Sequence, residues 1–351
     1  MRIALIALSV RGAMGQYLEA LVPHIANSLE VHLFVPNHFK GDIGNAILHN
    51  FPTGETKSKA LLRLLNPFLA KKIWNEIVKI KPDLIYLFNG EGYPWVLFWT
   101  IWSTKVSIPI LITLHDPEPH PGNLWERLNG KFRKYVIRRA KSIHIHSRQF
   151  LETTKQLGAK DIVIIPHGSF ADRFLQYKQN NIKRENAALF FGRLEAYKGI
   201  DVLIEAGLLL NGKIKIIIAG PGKLPPMLLD KINQNPIIFE LHNYFLPDSK
   251  VAELFQRASV CVLPYKQATQ SAVPLIAAAF GVPVVASAVG GFLEDIPRVG
   301  GLLVPLNDPV ALAKGIEQAI GITPLYPHEL SFLYISRDFI KWFQNNIKNN
   351  I

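Results

Sequence analysis

Short apolar runs alternate with helical segments along the whole chain, and this alternation occurs twice. Such runs are typical of parallel strands buried on both faces. The predicted strands are 3–8, 31–35, 84–88, 110–114, 142–146 and 163–165 in the first half, and 188–191, 214–219, 237–241, 260–263, 284–286 and 301–304 in the second. Strands that alternate with helices form doubly wound sheets. The pattern therefore predicts the α/β class, with two Rossmann-like domains.

The length and one polar segment place the domain boundary. A chain of 351 residues exceeds the usual size of a single core. Residues 176–186 (QYKQNNIKREN) have almost no apolar side chains and precede the first strand of the second half, so they are the best linker candidate. We predict an N-terminal domain over 1–180 and a C-terminal domain over 181–330.

The last residues, 331–351, form a separate element. Phe339, Phe343, Ile347 and Ile351 recur at every fourth position, which predicts a helix with one apolar stripe. We expect this helix to pack back on the N-terminal domain.

The composition favours a globular cytoplasmic protein. The single cysteine, Cys261, excludes an intramolecular disulfide and a cysteine-based zinc site. The apolar run after Arg2 is predicted to be a strand and not a signal peptide. Lys105 and Pro109 interrupt the apolar window 93–114, so we expect no transmembrane helix.

The net charge of +12 is carried mainly by the first half of the chain. Its segments 57–81 and 123–141 mix apolar and basic residues, as do helices that lie on anionic membranes. Core-facing helices with solvated basic backs would give the same pattern. Peripheral binding at the inner membrane face and ordinary surface helices therefore both remain open. Nucleic acid is not favoured, because no recognisable binding module accompanies the charge.

Two cations lie in the loop of the segment 190–203 (FFGRLEAYKGIDVL). Arg193 and Lys198 follow a predicted buried strand and precede a helix, which places them at the carboxyl end of a sheet. Ligands bind there in open α/β sheets, and two fixed cations suit a diphosphate. The alternative is two solvated surface charges.

A glycine-rich loop, RGAMGQY at 11–17, follows the first strand and opens a helix. Its backbone amides would approach a phosphate or a transferred sugar. The loop lacks the full GxGxxG spacing, so we do not expect a nicotinamide site.

Three ordered stretches carry a family resemblance: GRLEAYKG at 192–199, IIIAGPGK at 216–223 and AFGVPVVASAVGGFLE at 279–294. They resemble the donor domain of the family-4 (group 1) glycosyltransferases, which are retaining enzymes. The first half resembles their acceptor domain less specifically. The resemblance implies the GT-B architecture, in which two Rossmann-like doubly wound domains face each other across a cleft.

The resemblance also implies an activity. A hexosyl unit would pass from a nucleotide diphosphate sugar to a glycan or lipid-linked acceptor with retention of configuration, in polysaccharide or glycolipid assembly. No metal and no cofactor besides this substrate is expected. Two alternatives are a noncatalytic partner protein of the GT-B fold and a sugar-nucleotide epimerase of the same fold.

Site residues follow from matching positions. The resemblance assigns catalytic roles to His115, Arg193 and Lys198, and donor binding to Gly15, Gly192, Gly220, Thr269, Gln270, Ser271, Ala272, Val273 and Glu294. His115 follows the fourth strand and resembles the family's active-site histidine, although a hydrogen-bonded loop histidine is the alternative. His167 is expected to be structural.

One departure from the family pattern concerns two glutamates. The family places one near the sugar and one on the nucleotide ribose, where this chain has Ala268 and Ile276. A hydrogen bond to a charged group contributes about 1.5–3 kcal/mol, so donor binding would weaken unless another group replaces it. Thr269, Gln270 and Ser271 are the polar candidates for that replacement.

Overall fold

The computed structural model describes residues 1–53, 63–115, 124–268 and 271–348. The chain forms two compact units, of which the first comprises residues 1–168 with 332–351 and the second residues 169–331. The boundary therefore comes earlier in the chain than the segment 176–186. That segment is bound into the second unit, where the Gln179 amide donates to Gln256 Oε1 at 3.0 Å.

The first unit is built on a parallel sheet of seven strands in the order β3-β2-β1-β4-β5-β6-β7. The strands are β1 Arg2–Ala7, β2 Glu30–Pro36, β3 Ile47–Phe51, β4 Leu84–Asn89, β5 Ile110–Leu114, β6 Ser142–Ile145 and β7 Ile162–Ile164. The sequence predicted each of these except β3. This strand forms an edge of the sheet, and its Ile47 and Leu48 are exposed, so it lacks the apolar signature of a buried strand.

The second unit contains a parallel sheet of six strands in the order β10-β9-β8-β11-β12-β13. The strands are β8 Ala187–Phe191, β9 Lys215–Ala219, β10 Phe239–His242, β11 Val260–Leu263, β12 Val284–Ser287 and β13 Leu302–Val304. The chain runs outward from β8 through β9 to β10 and then returns to β11 on the other side. The strand order therefore reverses between β8 and β11, as it does between β1 and β4 in the first unit. Crevices at such reversals are the usual ligand sites of open α/β sheets.

Helices connect the strands in both units. The described α-helices are α1 Ala13–Ala26, α2 Pro67–Lys79, α3 Pro94–Val106, α4 Leu124–Arg139, α5 Leu151–Gln156, α6 Ala171–Leu175, α7 Ile200–Leu210, α8 Pro226–Gln234, α9 Asp248–Arg257, α10 Val273–Ala279, α11 Phe292–Arg298, α12 Pro309–Ala319 and α13 Phe332–Lys348. Among the described residues, no helix has both the length and the apolar character that a membrane span requires.

Helix α13 completes the core of the first unit. It packs along α1, and its Phe339 and Phe343 are fully buried. Their rings lie 5.6 and 5.8 Å from the ring of Tyr86, a side chain of the central strand β4. The side chains of Ile347 and Ile351, which the sequence placed on the same stripe, lie outside the described part.

The basic segments of the first half form helices with one buried side. In α2, Ile73 and Trp74 are buried, whereas Lys71 and Lys72 point outward. Phe68, in the first turn of the same helix, is 85% exposed. The core-facing arrangement is therefore present, together with an exposed aromatic side chain beside two lysines.

Candidate active site

Two loops meet at the strand reversal of the second unit, and a close backbone contact holds them together. The first follows β8 and includes Gly199, and the second follows β11 and begins at Pro264. Gly199 has φ +70°, and a Cβ there would lie 1.8 Å from the Pro264 carbonyl oxygen. Only glycine fits this position. The Lys266 amide donates to the Tyr197 carbonyl at 2.7 Å, which joins the loops a second time.

Lys198 lies at this junction, in a short 3-10 helix over Ala196–Lys198. Its Nζ is 3.6 Å from the ring centroid of Tyr265, in the second loop. The ammonium group is half-buried and makes no ion pair with any residue of the described part. Burial, and then the nearby Arg193 charge, lower the pKa of Lys198 to about 8. A partly desolvated cation without a carboxylate is a strong attractor for an anion.

Arg193 lies in the same loop but is more exposed. Its Nη1 pairs with Glu195 Oε1 at 2.7 Å, and this ion pair is largely in contact with solvent. Because exposed ion pairs contribute little to stability, the guanidinium can exchange Glu195 for a ligand at low cost. The loop therefore presents one poised cation and one exchangeable cation. Binding of a diphosphate by Arg193 and Lys198 stays a prediction that this arrangement favours.

Gly192 and Gly220 bring the loops after β8 and β9 into contact. Gly220 has φ +140°, and a Cβ there would lie 2.1 Å from the Gly192 carbonyl oxygen. Close packing thus explains why Gly220 must be glycine, and its role in donor binding stays a prediction. The neighbouring loop after β10 is tied to the same region, since the Gly222 amide donates to Asn243 Oδ1 at 3.1 Å. Phe245, two residues further on, is 80% exposed and was not singled out from the sequence.

The predicted phosphate-binding segment before α10 is only partly described. Thr269 and Gln270 lie outside the described residues, and Ser271, Ala272 and Val273 lead into the helix. The helix has only seven residues, and Pro274 supplies no amide hydrogen. These features limit the number of free amides at its start. Donor binding by this segment stays a prediction.

The two positions that lack the family's glutamates differ in their surroundings. Ile276 is 3% exposed and belongs to the core. The Ala268 carbonyl accepts a hydrogen bond from the Gly291 amide at 2.9 Å, which fastens this loop to the one after β12. Glu294, predicted to bind donor, forms an ion pair with Arg298 one turn further along α11 at 2.9 Å. Its role in donor binding stays a prediction.

In the first unit, Asn89 organises the corresponding strand reversal. Its Oδ1 accepts from the amides of Leu8 and Ser9 at 2.8 and 3.1 Å, and its Nδ2 donates to the Ser9 carbonyl at 2.7 Å. A cavity of about 260 Å³ lies beside it. The lining residues are Ser9, Met14, Asn89, Gly90, Glu91, Gly92, Tyr93 and Arg133. In the wall of this cavity, Arg133 Nη2 lies 3.3 Å from Glu91 Oε1 and forms an ion pair with it.

Gly15 was predicted to bind the donor, and it lies inside α1. A Cβ at this position would be 2.6 Å from the Val10 carbonyl oxygen. The glycine therefore lets the loop after β1 fold tightly onto the helix, and ligand binding by Gly15 stays a prediction.

His115 makes hydrogen bonds within the protein through both ring nitrogens. Nε2 lies 2.9 Å from the Phe88 carbonyl oxygen, and Nδ1 lies 3.1 Å from His146 Nε2. A carbonyl oxygen only accepts, so His115 Nε2 carries the hydrogen and Nδ1 accepts from His146. The catalytic role of His115 stays a prediction, and it requires that one of these bonds be exchanged for a bond to substrate.

A buried cluster of histidines surrounds His115. His144 accepts from Thr113 Oγ1 at 3.0 Å and donates to the Ile165 carbonyl at 2.9 Å. Burial lowers the pKa of His144 to about 3 and that of His167 to about 4, and it holds the pKa of His146 well below its usual range. These histidines are therefore neutral. The sequence did not single out His144 or His146, because strand histidines carry no spacing signal that distinguishes them.

Comparisons with known proteins address the family. A family model described as Glycosyltransferase Family 4 matches residues 14–173, and one described as Glycosyl transferases group 1 matches residues 185–321. Both units are thus matched in their expected order. The chain belongs to the family 4 glycosyltransferases.

Individual relatives of this glycosyltransferase are distant. A protein of Methanocaldococcus jannaschii, described as an uncharacterized glycosyltransferase, is 26% identical over 314 residues, which are 88% of this chain and 85% of the relative. A D-inositol 3-phosphate glycosyltransferase of Geodermatophilus obscurus is 31% identical over 180 residues, which are 45% of this chain and 40% of that protein.

Solved structures show the same fold. Anabaena HepE in complex with UDP has a TM-score of 0.70 at 18% identity and covers 100% of this chain and 99% of its own. A glycosyltransferase of Rickettsia africae has a TM-score of 0.71 at 16% identity, with 99% of each chain covered. The predicted α/β fold of GT-B type is thereby confirmed.

Within the described ranges no cluster of three or more His, Cys, Asp or Glu side chains could hold a metal ion.

Proposed function

We propose that this glycosyltransferase uses a nucleotide diphosphate sugar and that its second unit binds the diphosphate. The observation that carries the proposal is the half-buried Lys198 ammonium, which has no carboxylate partner among the described residues and lies at the strand reversal between β8 and β11. Arg193 supplies a second positive charge from the same loop. Such a pair of cations favours a diphosphate over a neutral ligand.

The chemistry follows from where charge develops. The bond between the sugar's anomeric carbon and the diphosphate oxygen breaks, and its electron pair stays on that oxygen. Lys198 and Arg193 stabilise the growing negative charge, so the diphosphate becomes a better leaving group. The acceptor hydroxyl bonds to the anomeric carbon, and its proton passes to the departing diphosphate oxygen. We propose a hexosyl unit, retention of configuration and no metal requirement, because the side chains provide the cations.

We expect the loop after β10 to contact the nucleobase of the donor. Phe245 is 80% exposed there, and Tyr244 beside it is 49% exposed. A flat aromatic face of this kind stacks well against a nucleobase. Ile276 cannot hold a ribose hydroxyl as a glutamate would, so base stacking carries a larger share of nucleotide affinity. HepE was solved with UDP and with UDP-glucose, which makes uridine nucleotides the first to test.

The acceptor side is assigned to the cavity of the first unit. Its wall offers the Glu91 and Arg133 side chains together with glycine backbone and the Tyr93 ring. Paired opposite charges and an aromatic ring suit a neutral polyhydroxyl group, as in a glycan or the head of a lipid-linked sugar. We therefore propose a role in polysaccharide or glycolipid assembly.

A lipid-linked acceptor would place the protein at a membrane surface. We propose that α2 contributes, since exposed Phe68 lies beside Lys71 and Lys72. Sedimentation with vesicles of anionic lipid at moderate salt tests this, with neutral vesicles as control. Binding that persists in the triple variant Phe68→Ala/Lys71→Glu/Lys72→Glu would exclude α2 as the contact.

The donor proposal is tested by incubating the protein with UDP, GDP, ADP and dTDP sugars, with and without EDTA. Slow hydrolysis or transfer from one donor is expected, and proton NMR of the released sugar gives its anomeric configuration. Lys198→Ala should abolish turnover, whereas Lys178→Ala, an exposed lysine of the segment 176–186, should not.

Other outcomes separate the alternatives. Absence of both turnover and nucleotide binding would refute the donor proposal. Nucleotide binding without turnover would indicate a noncatalytic partner protein. A changed sugar nucleotide formed without acceptor would indicate an epimerase.

A further inference from the structure

We propose that Tyr265 is a positioning residue, whose ring holds the Lys198 ammonium in place as a cation available to the donor's diphosphate. The inference rests on the proposed function of Lys198. It adds a residue to the site that no sequence motif indicated.

The ring of Tyr265 is fixed on several sides. It is 1% exposed, and its centroid lies 5.0 Å from that of Phe292 and 6.4 Å from that of Phe190. Tyr197 packs edge-on against it at 6.3 Å. These contacts come from α11, β8 and the loop after β8, so the ring cannot turn without disturbing the core. It is therefore a rigid surface for the lysine.

Lys198 lies over the face of this ring. The distance of 3.6 Å from Nζ to the ring centroid is within the range of a strong cation–π contact, and the Tyr197 ring lies 4.9 Å away on another side. The nearest carboxylate of the loop, Glu195, is paired with Arg193. The aromatic rings thus hold the ammonium without neutralising it. A carboxylate in the same place would compete with the diphosphate for this charge.

The phenol group stays neutral. Burial raises the pKa of Tyr265 far above its usual value, against the smaller influence of Ser271. Its hydroxyl is directed toward Gly192, where an added Cβ would lie 3.8 Å from it. The ring face, which Phe would also provide, is therefore the part that acts on Lys198.

The backbone contacts described above set the register of the two side chains. Two contacts between neighbouring residues keep residue 198 beside residue 265. They are the close approach of Gly199 to Pro264 and the hydrogen bond from the Lys266 amide to Tyr197. Lys266 adds a side-chain bond to Asp201 at 2.6 Å, which occupies that lysine elsewhere. Lys198 is thus the lysine that the ring holds.

The experiment compares Tyr265→Phe, which keeps the ring, with Tyr265→Met, which removes the ring but keeps a large apolar side chain. Affinities for UDP and for inorganic pyrophosphate are measured by calorimetry in the full chain, each in the Lys198 and Lys198→Ala backgrounds. We expect Tyr265→Phe to bind within about twofold of wild type and Tyr265→Met to bind about tenfold more weakly. In the Lys198→Ala background the same change should have no effect. An equal loss in both backgrounds, or a loss with Phe, would overturn the proposal.

A second measurement needs no nucleotide. Carbon-13 methyl groups attached to the lysines by reductive methylation keep their charge, and the Lys198 signal is assigned from the Lys198→Arg variant. The Tyr265 ring should shift that signal upfield in wild type and in Tyr265→Phe, and the shift should vanish in Tyr265→Met. A wild-type signal at the position of exposed lysines would refute the contact. Failure of nucleotide binding alone, with the shift present, would instead refute the proposed function.

Discussion

His146 Nε2 lies 3.1 Å from His115 Nδ1, so one histidine sets the tautomer of the other. The bond from His115 Nε2 to the Phe88 carbonyl fixes the direction, because the carbonyl cannot donate. The Ile165 carbonyl oxygen lies 2.9 Å from His144 Nε2 and, less closely, 3.3 Å from His146 Nδ1. We assign the hydrogen of His146 to Nε2, because the 3.1 Å contact between the two histidines requires one hydrogen and His115 Nδ1 carries none. His115 is thereby held in one orientation.

Replacing His146 by Phe should release His115 Nδ1 while preserving the packing. Two-bond proton–nitrogen correlation spectra should show wild-type His115 protonated at Nε2 only. The His115 Nδ1 resonance should move in His146→Phe and stay in place in His167→Phe, because His167 bonds to the Gly168 carbonyl instead. Wild-type protonation at Nδ1 would contradict the assignment.

The first unit should lose stability below about pH 6.5. His144, His146 and His167 are buried and neutral. Burial lowers the pKa of His144 to about 3 and the pKa of His167 to about 4, and it holds the pKa of His146 well below its usual value. In the unfolded chain each takes up a proton near pH 6.5, whereas the folded unit does not until much lower pH. The free energy of unfolding should therefore fall by about 1.4 kcal/mol per pH unit for each such histidine.

Tryptophan fluorescence measures this unfolding selectively, because residues 169–331 contain no tryptophan. His144→Phe should reduce the slope of the unfolding free energy against pH by about the contribution of one proton. His328→Asn, in the second unit, should leave that slope unchanged. Stability that is constant between pH 4.5 and 6.5 would contradict the neutral cluster.

Nucleotide affinity should depend on the charge of Lys198. Its pKa is lowered to about 8, so the ammonium form predominates below that pH and is lost above it. Affinity for UDP should fall by about twofold from pH 7 to 8 and then by up to about tenfold per pH unit. Lys198→Arg should bind without this decrease, since arginine keeps its charge. Calorimetry in both variants provides the measurement, and the same decrease in the arginine variant would assign it to another group.

Gly199→Ala should disrupt the loop junction of the second unit. The added Cβ would meet the Pro264 carbonyl at 1.8 Å in a backbone with φ +70°, which should cost about 3 kcal/mol or more. Gly212 is a matched control, with φ +77° and only the Ile237 side chain at 3.9 Å, and its replacement should cost about 1 kcal/mol. Circular dichroism follows the whole chain, and fluorescence verifies that the first unit is unchanged. Equal costs for the two variants would show that the close approach is unimportant.

The fold could be predicted because buried parallel strands carry continuous apolar runs, which Ile216–Ile218 and its neighbours illustrate. The missed strand β3 has solvent on one side, and its Ile47 and Leu48 are exposed, so that rule did not apply. Local polarity was equally misleading over residues 176–186. The segment is bonded inside one unit, through the Gln179 backbone amide to Gln256 Oε1 and through Arg184 Nη1 to the Gly281 carbonyl.

The site was predictable where its position depends on one strand end, as for Arg193 and Lys198. It was not predictable where two distant segments meet. Nothing in the sequence VLPYKQ indicates that Tyr265 lies under Lys198, because this contact depends on the pairing of β8 with β11. The sequence did identify the loss of a glutamate at Ile276, but only the structure shows that the position is part of the core.

The order of the segments along the chain determines which unit can fold first during synthesis. The second unit is continuous, and its two ends are bonded to each other, since the Ser169 amide donates to the Leu330 carbonyl at 2.7 Å. The first unit needs α13, whose Phe339 lies against Tyr86 and His144. On the ribosome the second unit can therefore fold while the first still exposes part of its core. During synthesis it is therefore the first unit, with part of its core exposed, that would need a chaperone.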